Sequence, residues 1–257
     1  MHNKAASDSW LICYKPNPMA RLRLFCLPYA GGSASVFCSW ANALPSDVEI
    51  IGIEKPGLGT RTAESPINSV SSTVKELVDV IYPKLNKAFA FYGHCLGALV
   101  SFELTRGLNR QYGLEPVTLF VSGMGAPQTP NYSMPIHHLT DSVFLQELHR
   151  RHSQIPEEVL QSPEILHEMF PGLRADYRMY ETYSYKNGDP LGCPITAFGG
   201  LQDNTVDRED LEAWRYQTKR TFTLHMVPGN HFFINFERQD FLPKLSDDLI
   251  NTLTRVE

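Results

Sequence analysis

Three residues of this chain could together do nucleophilic chemistry: Cys95 within Gly93-His94-Cys95-Leu96-Gly97, Asp203 and His231. A thiol is mostly protonated at neutral pH, an imidazole can take its proton, and a carboxylate can fix the imidazole tautomer and stabilise the resulting cation. Cys95 follows the apolar run Ala88-Phe89-Ala90-Phe91-Tyr92 and precedes a helical pattern that begins at Leu96, which predicts a strand, a sharp turn and a helix. The G-x-C-x-G spacing is that of the nucleophile elbow G-x-S-x-G, with sulfur in place of the serine oxygen. Its glycines have a steric task, since a side chain two residues before or after the nucleophile would collide with the strand or the helix. A cysteine at a helix N-terminus also meets unpaired N–H groups and the positive end of the macrodipole, which favour a thiolate. The competing reading of an isolated cysteine is a small hydrophobe packed in a core, so its partners decide.

Those partners fall at comparable places. Asp203 lies just past the strand pattern Ile195-Thr196-Ala197-Phe198-Gly199-Gly200, and His231 follows Phe222-Thr223-Leu224-His225-Met226-Val227 through a Pro228-Gly229 turn. Each is expected at the edge of a sheet where open α/β folds place their sites. Asp207 is the nearest alternative acid. His94 is expected to orient or pack within the turn, and His225 to have a core or surface role in its strand. His137, His138, His149, His152 and His167 read as solvated. Upstream, Arg21-Leu22-Arg23-Leu24-Phe25-Cys26-Leu27 predicts another strand, broken by Pro28-Tyr29-Ala30-Gly31-Gly32-Ser33. No G-K-[ST] follows the paired glycines, so a phosphate cradle is a poor fit. The remaining use of such a loop is to aim a backbone N–H at an oxyanion.

The elements that must position these residues alternate. Helices are predicted at 36–44 and 70–85, the second with Thr73-x-x-Glu76 as a capping box. Strands are predicted at 48–53 and 117–121, and a helix over 209–217. A C-terminal helical pattern carries Phe241, Leu245 and Leu249 and is interrupted near Pro243. Strands alternating with helices predict a mostly parallel, doubly wound α/β sheet in a single domain over 1–257. Over 127–188 the alternation lapses. Three prolines are followed by amphipathic stretches around Val143-Phe144-Leu145-Leu148, Val159-Leu160 and Ile165-Leu166-Met169-Phe170, closed by Phe170-Pro171-Gly172-Leu173-Arg174-Ala175-Asp176-Tyr177, as expected of a mobile helical lid inserted over the sheet edge, with a helical cap that does not move as the alternative.

Composition excludes several classes. With 42% hydrophobic and 20% charged residues the 257-residue chain is globular, and a net charge of −5 argues against a nucleic-acid partner. Five cysteines without a C-x-x-C pair suggest reduced thiols. Trp10-Leu11-Ile12-Cys13-Tyr14 is too short for a signal-peptide core, and no stretch would span a bilayer. A cytoplasmic protein is expected, with no membrane partner.

Taken together, Leu24-Phe25-Cys26-Leu27-Pro28-Tyr29-Ala30-Gly31-Gly32-Ser33, Gly93-His94-Cys95-Leu96-Gly97-Ala98, Leu173-Arg174-Ala175-Asp176, Gly199-Gly200-x-x-Asp203 and Gly229-x-His231-Phe232-Phe233 resemble the type II thioesterases that stand beside nonribosomal peptide and polyketide synthases. The resemblance implies an α/β-hydrolase fold with a helical lid and a Cys95, Asp203, His231 triad. It also implies an oxyanion hole from the backbone N–H groups of Ala30 and Leu96. The substrate would be an acyl group on the phosphopantetheine arm of a carrier protein, with no metal or cofactor of the enzyme's own, acting as a monomer. The family usually has serine at position 95 and arginine at position 58, where this chain has Cys95 and Leu58. Other outcomes of the same residues are acyl transfer, aminolysis or cyclisation from an acyl-Cys95, a small-molecule esterase or amidase, and a hydrolase-like protein that binds without turnover.

Overall fold

The computed structural model describes residues 9–130, 134–151, 163–236 and 238–255, with side chains except over 163–167. Seven strands form one sheet: β1 (Leu11–Ile12), β2 (Leu22–Leu27), β3 (Val48–Ile53), β4 (Ala88–His94), β5 (Leu119–Ser122), β6 (Ile195–Gly200) and β7 (Phe222–Val227). Their order is β1-β3-β2-β4-β5-β6-β7, parallel throughout except for β1, which runs antiparallel to β3. The chain steps from β2 outward to β3 and then returns to the other side of β2 for β4. That reversal opens a crevice at the C-terminal ends of β2 and β4, the place where open α/β sheets take ligands.

The central strands are apolar because both faces are covered. Leu22, Leu24 and Cys26 of β2 join Ala90 and Tyr92 of β4 in a core closed by α1 (Trp40–Ala43) and α8 (Arg238–Leu253). Phe25, Leu27 and Phe91 point the other way, into a core shared with α2 (Val70–Ile81) and α3 (Leu96–Tyr112). The period-two alternation thus sorts one strand between two cores. Arg23 is the polar member of β2, and its Nε donates to Glu49 Oε2 of the paired strand at 2.7 Å.

Local predictions give way where tertiary contacts decide. The segment 36–44 is not one helix but a 3-10 turn, Ala34–Phe37, followed by α1. Its start is pinned when the Ala34 N–H donates to the buried Glu54 carboxylate at 2.6 Å. α2 is capped by Ser69, whose Oγ accepts from the Ser72 N–H, while Thr73 sits inside the helix and donates to the Ser69 carbonyl at 3.0 Å. The expected capping box is therefore absent. Pro243 does not interrupt α8, since buried Phe241, Leu242, Leu245 and Leu249 hold the helix through the missing hydrogen bond. The 209–217 helix is α6 (Arg208–Glu212) followed by a 3-10 turn. The short α7 (Phe233–Phe236) follows the His231 loop.

Between β5 and β6 the chain leaves the sheet and forms α4 (Asp141–Arg151) and α5 (Pro163–Glu181). Val159, Leu160 and His152 lie outside the described residues. Phe170 to Tyr177 lie in α5, which runs through Pro171. Ile136, Phe144, Leu148, Leu173 and Tyr177 form a small core of their own. The second half of α5 is nevertheless seated on the body of the protein. A Cβ on Gly172 would lie 2.2 Å from the Gly57 carbonyl oxygen, and just beyond the helix the Tyr183 hydroxyl donates to Glu103 Oε1 at 2.7 Å. Among the described residues no helix is long and apolar enough to cross a membrane.

Among the described glycines the tightest approach to backbone is at Gly97, where a Cβ would fall 2.1 Å from the Leu27 carbonyl oxygen and 2.7 Å from that of Pro28. Both obstacles are backbone, so the helix and the strand must separate to admit a methyl group. Gly97→Ala is expected to destabilise the fold by about 3 kcal/mol, read from the urea midpoint; an unchanged midpoint would show that the contact yields freely.

Candidate active site

The turn between β4 and α3 carries Cys95 at φ 52 and ψ −121, the one non-glycine residue at positive φ among those described. Holding a side chain there is costly, and the surroundings over-determine it. The Cys95 N–H donates to the Ser122 carbonyl of β5 at 2.7 Å, and its own carbonyl accepts from the Ala98 N–H at 2.9 Å. A Cβ on Gly93 would lie 2.2 Å from the Gly97 carbonyl oxygen. The predicted steric task of both glycines is met, Gly93 against the helix and Gly97 against the end of β2. Cys95 is half-buried at the N-terminus of α3, beside the crevice.

His231 comes from the loop after β7 and Asp203 from the loop after β6. Their side chains are almost sealed from solvent, and His231 Nδ1 lies 2.8 Å from Asp203 Oδ2, the ring donating to the carboxylate. The other carboxylate oxygen accepts from Thr205 twice, from its N–H at 2.8 Å and its hydroxyl at 2.6 Å. That hydroxyl oxygen also lies 3.0 Å from His231 Nδ1. Asp207, the alternative acid, instead occupies the N-cap of α6.

Burial alone would lower the His231 pKa. The charge of a Cys95 thiolate, the hydrogen bond to Asp203 and the Asp203 charge overcome it and push the imidazole up to about 10. Burial by itself would raise Asp203, yet its bonds to His231 and Thr205 hold it below the usual carboxylate range. The structure therefore brings Cys95, His231 and Asp203 together as an ionisable line. Beneath them His94 is wholly buried, Nδ1 2.8 Å from Ser122 Oγ and its ring centroid 5.3 Å from that of His231. Burial, reinforced by the neighbouring His231 charge, drives its pKa well down, so it stays neutral. His225 pairs with Asp248 of α8 at 2.9 Å, outside the site.

The 28–33 loop after β2 faces the elbow across the crevice. As first residue of α3, Leu96 has no intrahelical acceptor for its N–H. The Gly31 N–H is occupied, donating to Asp176 Oδ2 at 2.8 Å, and that of Gly32 donates to the Tyr29 carbonyl at 2.9 Å. From α5, Tyr177 and Tyr180 stand near enough to Cys95 that its charge adds to burial in raising both phenols.

A profile of the family described as "Thioesterase domain" matches residues 22–249. The chain belongs to the thioesterase family. It is 45% identical over 240 residues to the gramicidin S biosynthesis protein GrsT of Aneurinibacillus migulanus, covering 92% of this chain and 93% of that protein. It is 36% identical over 247 residues to thioesterase PikA5 of Streptomyces venezuelae, covering 96% and 87%. The structure of the type II thioesterase BorB from the borrelidin biosynthetic cluster superposes with a TM-score of 0.85 at 32% identity, over 96% of this chain and 98% of that one. The fold is accordingly that of the α/β-hydrolases, and thioester hydrolysis is the thioesterase's activity.

Sequence reasoning missed Thr205 and Lys55. Thr205 carries no motif, and its place is fixed by the turn that Asp203 starts. Lys55 had one available signal, its position two residues past the end of a strand at the sheet edge that carries the site.

The pH behaviour of His231 follows from its partners. Because its folded pKa lies above the ordinary 6.5, its pairing adds stability that is complete below about 6.5 and lost as the pH climbs through about 10. Asp203→Asn removes the Asp203 charge and weakens the hydrogen bond, so the His231 ring protons should titrate at lower pH by NMR; an unmoved or raised titration would contradict this electrostatic account.

Proposed function

We propose that this thioesterase hydrolyses acyl groups from the phosphopantetheine arm of carrier proteins in nonribosomal peptide or polyketide synthesis, through an acyl-Cys95 intermediate. The observation that carries the mechanism is the line of Cys95, His231 and Asp203 at the sheet's switch point. The biosynthetic setting is supported by similarity to a gramicidin S biosynthesis protein and to a type II thioesterase of the borrelidin cluster.

His231 takes the Cys95 proton, and the sulfur attacks the thioester carbonyl carbon. The carbonyl π pair moves onto oxygen, where the N–H groups of Ala30 and Leu96 and the N-terminus of α3 stabilise the negative charge. Collapse breaks the carbon–sulfur bond to phosphopantetheine, and His231 returns its proton to the leaving thiolate. In the second half His231 deprotonates a water, which attacks the acyl-Cys95 carbonyl; the free acid leaves and the thiol is restored. Asp203 holds the imidazole tautomer and offsets its charge in both halves. The insertion over 127–188 acts as the lid, with Tyr177 and Tyr180 as part of the acyl wall. Its seated part, 173–181, moves with the body, so those amides should exchange as slowly as the central strands.

Sulfur at position 95 favours a second reading, acyl transfer in competition with hydrolysis. Moving an acyl group from one thioester to another is nearly thermoneutral, so acyl-Cys95 stays activated and more open to amines, relative to water, than an acyl-serine would be. Comparing Cys95→Ser with the parent in the presence of amines, by the ratio of amide to free acid, decides between the two outcomes.

The experiment for the main reading loads a panel of acyl groups onto a carrier protein and identifies the products by mass spectrometry. Turnover should fall by roughly 10⁴-fold in His231→Ala and by a similar or smaller factor in Asp203→Asn, since members of such a set are not additive. Full activity in His231→Ala, or no release of any carrier-bound acyl group by the parent, would overturn it.

A further inference from the structure

Asp176 of α5 is 2% exposed, and both of its carboxylate oxygens are spent on groups outside the insertion. Oδ1 accepts from Lys55 Nζ at 2.6 Å, and Oδ2 accepts from the Gly31 N–H at 2.8 Å. Lys55 follows β3, Gly31 lies in the loop after β2, and Asp176 is in the helix laid across them; the three segments have little in common except that loop. One turn earlier on α5, Leu173 presses on the same glycine. A Cβ on Gly31, at φ +76, would lie 2.6 Å from Leu173 Cδ1. The insertion thus holds Gly31 by a hydrogen bond and by contact.

Fixing the Gly31 N–H fixes the plane of the Ala30–Gly31 peptide, because the unit is rigid and its carbonyl must point the opposite way. The Ala30 N–H belongs to the preceding Tyr29–Ala30 unit, whose carbonyl accepts from the Gly32 N–H at 2.9 Å; with the peptide planes on both sides of Ala30 held, its N–H is left with little freedom. A buried ion pair is a weak device for stability alone, because the desolvation of both charges offsets their attraction. It is better suited to fixing an orientation. The pairing also answers an electrostatic difficulty. A carboxylate that grips the loop would repel a negative oxygen forming beside it, and Lys55 at 2.6 Å cancels that charge.

We infer that Asp176, seated by Lys55, is a positioning residue for the Ala30 N–H, so that the pair of donors with Leu96 is complete only while α5 rests on the loop. The inference builds on the proposal that Ala30 and Leu96 stabilise the oxyanion. Two variants test it. Asp176→Asn removes the carboxylate with little change of shape. The double variant Lys55→Met with Asp176→Leu removes both charges and keeps the site apolar and filled.

Three readouts are compared with the parent: hydrolysis of hexanoyl-S-N-acetylcysteamine, inhibition by hexanal, and alkylation of Cys95 by iodoacetamide. Hexanal reports on the donors directly. The Cys95 sulfur bonds to its carbonyl carbon, the π pair moves to oxygen, and the thiol proton ends on that oxygen in the donor site. Alkylation forms no such oxygen. In both variants kcat should fall by roughly 10- to 100-fold with KM little changed. Affinity for hexanal should fall in proportion, while the alkylation rate holds. Alkylation that falls with kcat, an unchanged hexanal affinity, or loss of folded circular dichroism in both variants overturns the inference by assigning the contacts to fold support. If the parent fails to hydrolyse the thioester, it is the functional reading that fails, and the contrast between hexanal and iodoacetamide still decides this one.

Discussion

Everything in the site hangs on one backbone residue held where side chains rarely go. Cys95 at φ 52 points its sulfur out of the chain only because β4 and α3 meet at a turn too tight for any side chain at 93 or 97. The approach of Gly97 to the Leu27 and Pro28 carbonyls also joins the elbow to the end of β2. Cys95 and the loop carrying Ala30 are therefore fixed relative to one another by backbone contact, without any long side chain between them. The switch in strand order supplies the crevice they share.

Electrostatics divides labour between two buried histidines whose rings lie 5.3 Å apart. Both lose hydration, which opposes charge in each. His231 has Asp203 on one side and Cys95 on the other, and its pKa rises; His94 has only a serine hydroxyl at Nδ1 and a charged neighbour, and its pKa falls. The same burial thus leaves one ring readily protonated and the other neutral beneath it.

Buried carboxylates organise the rim. Glu54, directly after β3, accepts from the Ala34 N–H at 2.6 Å and the Thr60 N–H at 2.7 Å, tying two loops to one strand end. Lys55 beside it reaches Asp176 and through it the 28–33 loop. Burying these charges is unfavourable unless each lone pair finds a donor. The sheet edge meets that demand with backbone N–H groups that have no strand or helix partner.

Much of this was legible in the chain. Strand periodicity, the two glycines around Cys95 and the fall of Asp203 and His231 just past strand ends are local signals, and they put these three residues at the ends of strands before any contact was known. What the sequence could not decide depended on which groups meet across long separations. It put Asp203 ahead of Asp207 only by its place after a strand, and the fold is what sets Asp203 2.8 Å from His231. It marked a break at Pro243, where buried side chains hold the helix intact. It gave no role to Thr205 or Lys55, because a threonine or a lysine acquires one only from the partner that folding brings to it. Short-range sterics and strand alternation act through neighbouring residues and are written in order along the chain, whereas hydrogen bonds between residues 26 to 145 positions apart exist only once the sheet has gathered its strand ends at one edge.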